Sequence, residues 1–196
     1  DHAELLGDHG LREKVGYWET SQHVVGIVRD PRYPEVHGTV VDRFTENIDI
    51  MPTLCEAMGI PIPAQCDGLP ITPFLEGGEP EWWRDAAHWE YDWRFALIAL
   101  DRYQWPWKRR LEQLNLAVRR SDTHAYVQFG DGDWLCFDLE ADNTWRTLTT
   151  DSDVVLREAQ AMLTWRMEHA NRTHTGFLSE HGGVGRWPTN VQWRNS

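Results

Sequence analysis

Apolar positions in this chain cluster in short runs of differing period, separated by polar stretches rich in glycine and proline. Val24-Val25-Gly26-Ile27-Val28 is a β-branched run closed by Asp30-Pro31, the pattern of a buried strand. Thr39-Val40-Val41 predicts a second, shorter strand. Ile48, Met51, Leu54, Cys55 and Met58 recur at three- and four-residue spacing, which predicts a helix with that stripe facing a core. Thr45 is its expected N-cap, Pro52 is tolerated near its first turn, and Gly59 with Pro61 ends it. Residues 59–80 read as an extended connector.

Further on, Ala86–Tyr91 predicts a strand, and Phe95–Leu100 is apolar without a deciding period. Leu116–Arg119, Ala125–Phe129 and Trp134–Leu139 are strand-like, the last two joined by the turn Gly130-Asp131-Gly132-Asp133. Residues 152–170 predict a helix capped by Asp151 or Ser152, with Val155, Ala159, Met162, Leu163 and Met167 on one face. From Asn171 onward an extended tail is expected, and residues 1–20 read as a loop of active-site type. The order implies the end of an α/β domain over 1–82, a small antiparallel sheet with a packed helix over 83–170, and a tail over 171–196.

Composition narrows the partners. The 196 residues are 41% hydrophobic and 26% charged, in the range of globular chains. A formal net charge of -12 repels nucleic acid and anionic membranes, so neither is an expected partner. A small anionic substrate would need a locally positive site. Cys55, Cys66 and Cys136 are odd in number and lack C-x-x-C spacing, which points to reduced thiols and a cytoplasmic setting. No run of apolar residues is long enough to span a membrane.

Of twelve Trp, six (Trp82, Trp83, Trp89, Trp93, Trp105 and Trp107) lie between residues 82 and 107. Exposed indoles form sugar platforms, so a non-catalytic carbohydrate-binding or oligomerisation module is a rival to any enzyme reading. Packing at a junction or a subunit interface is the favoured role for these rings.

The candidate chemistry sits at the start. Asp1 and His2 are an adjacent carboxylate and imidazole that can face one divalent cation, and Lys14 can reach an anion held by it. Two side chains do not complete a metal site, and the chain begins on this pair, so the expectation is a fragment whose remaining ligands lie upstream. His9 is expected to be a structural hydrogen-bonding residue, and Tyr17 to serve either the core or a cleft. His88, Glu90 and Asp92 alternate on a predicted strand, a weak second metal candidate.

The surrounding blocks carry a family resemblance. Asp1-His2, Gly7-Asp8-His9-Gly10-Leu11-x-x-Lys14 and Tyr17-x-x-x-Ser21-x-His23 are similar to the second signature block of the sulfatase family, within the alkaline-phosphatase-like superfamily. Asn47-Ile48-Asp49-Ile50-Met51-Pro52-Thr53-Leu54, Asp67-Gly68-Leu69-Pro70 and Leu135-Cys136-Phe137-Asp138-Leu139-Glu140-Ala141-Asp142 continue it. Pro63–Gly68, Arg84–Arg94 and Leu163–Ala170 resemble the phosphonate monoester hydrolase and arylsulfatase branch.

The resemblance implies the C-terminal portion of an alkaline-phosphatase-like α/β sandwich followed by a small antiparallel sheet and helix. It implies a hydrolase of sulfate, phosphonate or phosphate esters, with Asp1 and His2 as metal ligands and Lys14 on the substrate oxyanion. The implied cofactors are a divalent metal, Mn²⁺ or Ca²⁺ ahead of Zn²⁺ or Mg²⁺, and a formylglycine nucleophile. None of the three Cys has the Cys-x-Pro-x-Arg context of that nucleophile, so it is expected upstream, and this chain alone is expected to be inactive. The implied partners are a small anionic ester, the rest of the catalytic domain and further copies in a homo-oligomer. Ala3, His23, Val25 and Asn143 depart from the family pattern but leave Asp1, His2 and Lys14 untouched.

Overall fold

A four-stranded antiparallel meander carries the best-packed part of the chain: β1 (Ala86–Asp92), β2 (Asn115–Ser121), β3 (His124–Phe129) and β4 (Trp134–Asp138), paired in sequence order. The computed structural model describes residues 2–63, 66–93 and 113–169, with the backbone of two further strands at 177–180 and 183–186. The apolar run Phe95–Leu100, which the pattern leaves open between strand and helix, lies outside the described residues, as do Trp105 and Trp107. Contacts divide the chain into two units, 1–26 with 85–163 and 27–84 with 164–196.

The period-two pattern explains the first unit. Trp89 pairs with Val118, Val118 with Val127, and Val127 with Leu135, a row on one face. Leu116, Val118, Ala125, Val127, Phe137, Leu139 and Trp145 form its core, with Tyr17 and Trp18 packed against them. The turn between β3 and β4 closes through Phe129 N–H to the Asp133 carbonyl, and Gly132 takes φ 102° there.

The other face is buried as well. Arg119 and Cys136 lie there, and the helix that supplies Glu158 and the buried Met162 is the long α4 (Ser152–His169). Asp151 caps α4, its Oδ1 accepting from the N–H groups of Asp153 (2.9 Å) and Val154 (3.2 Å). Arg119 pairs with Glu158 through Nη1 and with Asp85 through Nη2 at 2.8 Å. The stripe α4 buries therefore includes Glu158, whereas Leu163 and Met167, expected on the core face, are exposed.

In the second unit a 3-10 turn at Asn47–Asp49 leads into α2 (Ile50–Ala57), preceded in the chain by the short α1 (Glu19–Gln22) and followed by α3 (Thr72–Leu75). The turn is capped by a reciprocal box of Glu46 and Asp49, one residue beyond the expected Thr45. Asp49 is buried, and its Oδ1 accepts from Leu69 N–H at 2.8 Å and from Arg84 Nη2 at 2.6 Å, while Oδ2 meets Arg84 Nη1.

Three expectations are corrected. Residues 24–28 and 39–41 are not strands: Val25, Ile27 and Val40 are about nine-tenths exposed, at 85%, 86% and 91%. A strand exists only by pairing, and the described residues offer these segments no partner edge. The predicted helix is present, but Ile48, Met51, Leu54 and Met58 face solvent and only Cys55 of that stripe is buried, beside Pro52 and Thr53. Asp49 decides the orientation, because a buried carboxylate must keep its guanidinium and N–H donors. The tail is not wholly extended: β5 (Phe177–Glu180) and β6 (Gly183–Arg186) pair antiparallel.

Candidate metal and anion site

The segment from His2 to Lys14 folds back on itself. Leu5 N–H donates to the Glu13 carbonyl at 3.0 Å and Gly7 N–H to Leu11 at 2.8 Å, with a tight turn at Asp8–Gly10. Gly7 (φ 111°) and Gly10 (φ 74°) supply the left-handed backbone such a turn requires. Leu5, fully buried, anchors the excursion, and Ala3 N–H donates to the Ser21 carbonyl at 3.1 Å.

Lys14 is thereby returned to His2. Its Nζ lies 2.7 Å from His2 Nε2, and His2 Nδ1 is 3.0 Å from the Ala3 carbonyl. A carbonyl can only accept, so in these two contacts Nδ1 donates to Ala3 and Nε2 accepts from the Lys14 ammonium. Both side chains are exposed. Asp1 lies outside the described residues, and among those described no three His, Cys, Asp or Glu side chains converge as a metal cluster. The described residues therefore offer a divalent ion one candidate ligand and not a whole shell, and Nε2 would bind the ion only in place of its contact with Lys14.

The other candidates separate. His9 stacks face to face on Trp18, ring centroids 3.5 Å apart at 8°, in place of the structural hydrogen bond expected of it. Tyr17 packs edge-on to Phe129 and beside Phe137, and burial raises its phenol pKa, so it serves the core. His88, Glu90 and Asp92 alternate on β1, opposite Arg119, Ala117 and Asn115. Trp83 donates to the Phe44 carbonyl and sets its ring edge-on to Phe74, Trp89 and Trp93 pack against the sheet core, and Trp82 is exposed.

The sequence did not reveal Glu19. Its carboxylate accepts from Trp145 Nε1 at 3.2 Å and meets Arg120 at 3.4 Å, tying the loop after Lys14 to a residue 126 positions on. No local pattern could have found that pairing.

The family model described as N-sulphoglucosamine sulphohydrolase, C-terminal, matches residues 7–172. The chain belongs to this sulfatase family. It is 35% identical over 188 residues to the multifunctional alkaline phosphatase superfamily protein PehA of Trinickia caryophylli, covering 94% of this chain and 36% of that protein. An N-acetylglucosamine-6-O-sulfatase of Bacteroides thetaiotaomicron is 27% identical over 145 residues, 72% of this chain and 24% of that one. The crystal structure of the phosphonate monoester hydrolase of Agrobacterium radiobacter superimposes with a TM-score of 0.79 at 38% identity, over 95% of this chain and 38% of that one. The chain thus spans from about a quarter to little more than a third of the length of these relatives. Its fold is the C-terminal part of an alkaline-phosphatase-like sulfatase.

Proposed function

We propose that this chain supplies one edge of the active site of an esterase acting on sulfate, phosphonate or phosphate esters. The contact between Lys14 Nζ and His2 Nε2 carries the reading, because it places a cation ligand and an anion-binding ammonium within one hydrogen bond of each other. Asp1 and His2 would hold a divalent metal, which when bound supplies charge neutralisation to the ester oxygens. Lys14 contributes the second positive charge. As the bond to the leaving group breaks, charge collects on the non-bridging oxygens, and a preformed ammonium there lowers the barrier without reorganising solvent. His2 keeps its orientation through the Ala3 carbonyl. The nucleophile, a formylglycine in this reading, comes from a part of the protein that this sequence does not contain, and without it the chain alone is inactive.

The same reading assigns a role to the exposed apolar residues of the second unit. Met51 and Leu54 on α2, the flanking Ile48 and Met58, and Ile27 and Val40 are the exposed apolar residues against which the remainder of the catalytic domain packs. The relatives' greater length is what supports this occupant.

The test is hydrolysis of p-nitrophenyl phenylphosphonate and p-nitrophenyl sulfate by the full-length protein, with and without EDTA. Turnover abolished by chelator and restored by Mn²⁺ or Ca²⁺ is expected. Undiminished rates after exhaustive chelation, or no turnover of either ester, would overturn the reading.

A further inference from the structure

Three residues other than glycine take the left-handed conformation within the loop that returns Lys14 to His2: Leu6 (φ 48°), His9 (φ 54°) and Glu13 (φ 64°). A residue with a Cβ is strained there, so the conformation persists only where its surroundings enforce it. Part of that enforcement lies inside the loop. Leu5 is buried, and its N–H donates to the Glu13 carbonyl one residue before Lys14. The tip is another matter, because Asp8, His9 and Gly10 are all exposed.

A ring pins the tip. His9 lies flat on Trp18, with centroids 3.5 Å apart at 8°. Trp18 is in turn set by the sheet, its ring packing against Phe137 of β4 (6.0 Å) and against Trp145 (6.3 Å). The next residue, Glu19, accepts from Trp145 Nε1 at 3.2 Å and pairs with Arg120 of β2 at 3.4 Å. Two strands and the Trp145 loop therefore fix the surface on which His9 rests. Such a stack needs a flat ring and neither of the imidazole nitrogens.

Lys14 itself is exposed, so burial does not hold its ammonium in place. Its position follows from the path of the backbone that leads to it. We propose that His9 is a positioning residue for Lys14: its stack on Trp18 keeps the strained loop on the path that delivers the ammonium to the substrate oxyanion. The inference rests on the reading of Lys14 as the oxyanion contact, and it gives the sheet unit control over that contact.

The experiment uses the full-length protein and two readouts, kinetics on whichever of the two aryl esters it cleaves and amide hydrogen exchange in the loop. His9→Ala should lower kcat by roughly 10- to 100-fold with KM little changed, because the misplaced contact is one made to charge that collects as the ester bond breaks. His9→Phe keeps a stacking ring without imidazole nitrogens and should restore most of the rate. In a Lys14→Ala background His9→Ala should cost nothing further, since no ammonium is left to position. The Leu5 and Gly7 amides, which donate to Glu13 and Leu11, should exchange faster in His9→Ala and at the wild-type rate in His9→Phe. A His9→Ala loss that persists in the Lys14→Ala background, a His9→Phe variant as impaired as His9→Ala, or loop exchange unchanged by His9→Ala would each overturn the proposal. If the wild-type protein turns over neither ester, the hydrolase reading falls, and the exchange rates still decide whether His9 sets the path to Lys14.

Discussion

Arg84 grips Asp49 through both guanidinium nitrogens, Nη2 to Oδ1 at 2.6 Å and Nη1 to Oδ2, across 35 residues of chain. The pair joins two sequence blocks that looked like separate family signatures, the segment around Asn47–Leu54 and the one beginning at Arg84. Both side chains are largely withdrawn from water, at 10% and 3% exposure, so the guanidinium is what makes the buried carboxylate tolerable.

Arg84→Ala should therefore cost about 3–5 kcal/mol, since it strands a buried charge. Arg84→Lys keeps the charge but loses the fork, and should fall between the two. Urea unfolding followed by tryptophan fluorescence measures both. A loss within the error of the wild-type midpoint for Arg84→Ala would mean that Asp49 is sustained by its backbone donors alone.

Gly68 offers a sharper steric test beside the same carboxylate. A Cβ built there would lie 2.0 Å from the Ile48 carbonyl oxygen and 2.8 Å from the Asp49 nitrogen, both rigid backbone atoms. Gly68→Ala must push the Asp67–Leu69 strip away, breaking the Leu69 N–H bond to Asp49. The expected loss is roughly 1–3 kcal/mol, seen as accelerated hydrogen exchange of the Leu69 amide. Unchanged exchange there would show that the strip lies farther from the helix entry.

Sequence pattern located the sheet well because its signal is local. β2, β3 and β4 are short runs of five to seven residues rich in apolar and β-forming side chains, and Gly130 and Gly132 mark the turn between β3 and β4, so strands and turn were readable to within a residue or two. The same was true of α4, whose Asp151 cap and three- and four-residue period are self-contained. What failed was every inference that needed a partner. Val24–Val28 and α2 have the composition of buried elements, but composition records the environment a residue suits, not the one it is given. The polarity of α2 was set instead by Asp49, whose need for Arg84 no window of a few residues contains. The candidate pair behaved likewise: the family blocks pointed to His2 and Lys14, whereas the fold-back that joins them rests on Gly7, Gly10 and the buried Leu5.

Lys14→Ala should leave folding intact, since the side chain is exposed, and should lower kcat/KM of the full-length protein on its aryl ester by about 10²–10³. His2→Ala should abolish turnover together with bound metal, read by mass spectrometry of the protein for metal content. Lys14→Ala, by contrast, should retain the metal. If both variants lose metal equally, Lys14 is a support for the ion and not the oxyanion contact.

Alkaline pH tests the other face of the sheet. Burial raises the Cys136 thiol to about 11 from an ordinary value near 9.0, with Glu158 adding to the rise and Arg157 opposing it. The sign follows from linkage. The folded state holds the proton more tightly, so the contribution is complete below the unfolded value and is lost as pH climbs from about 9 to about 11. Tyr17 and Tyr126, whose pKa values burial also raises, act in the same direction at the upper end. Unfolding midpoints measured from pH 8 upward should decline through that window, and Cys136→Ala should flatten the early part of the decline, whatever its own constant cost. The thiol should also resist a disulfide reagent at pH 8 in the native state and react once the protein is unfolded, because a buried neutral thiol is neither ionised nor reachable. Rapid native-state labelling at Cys136 would place α4 away from β4 for part of the time, and the Arg119 pairing with Glu158 would then be too weak to hold the helix down.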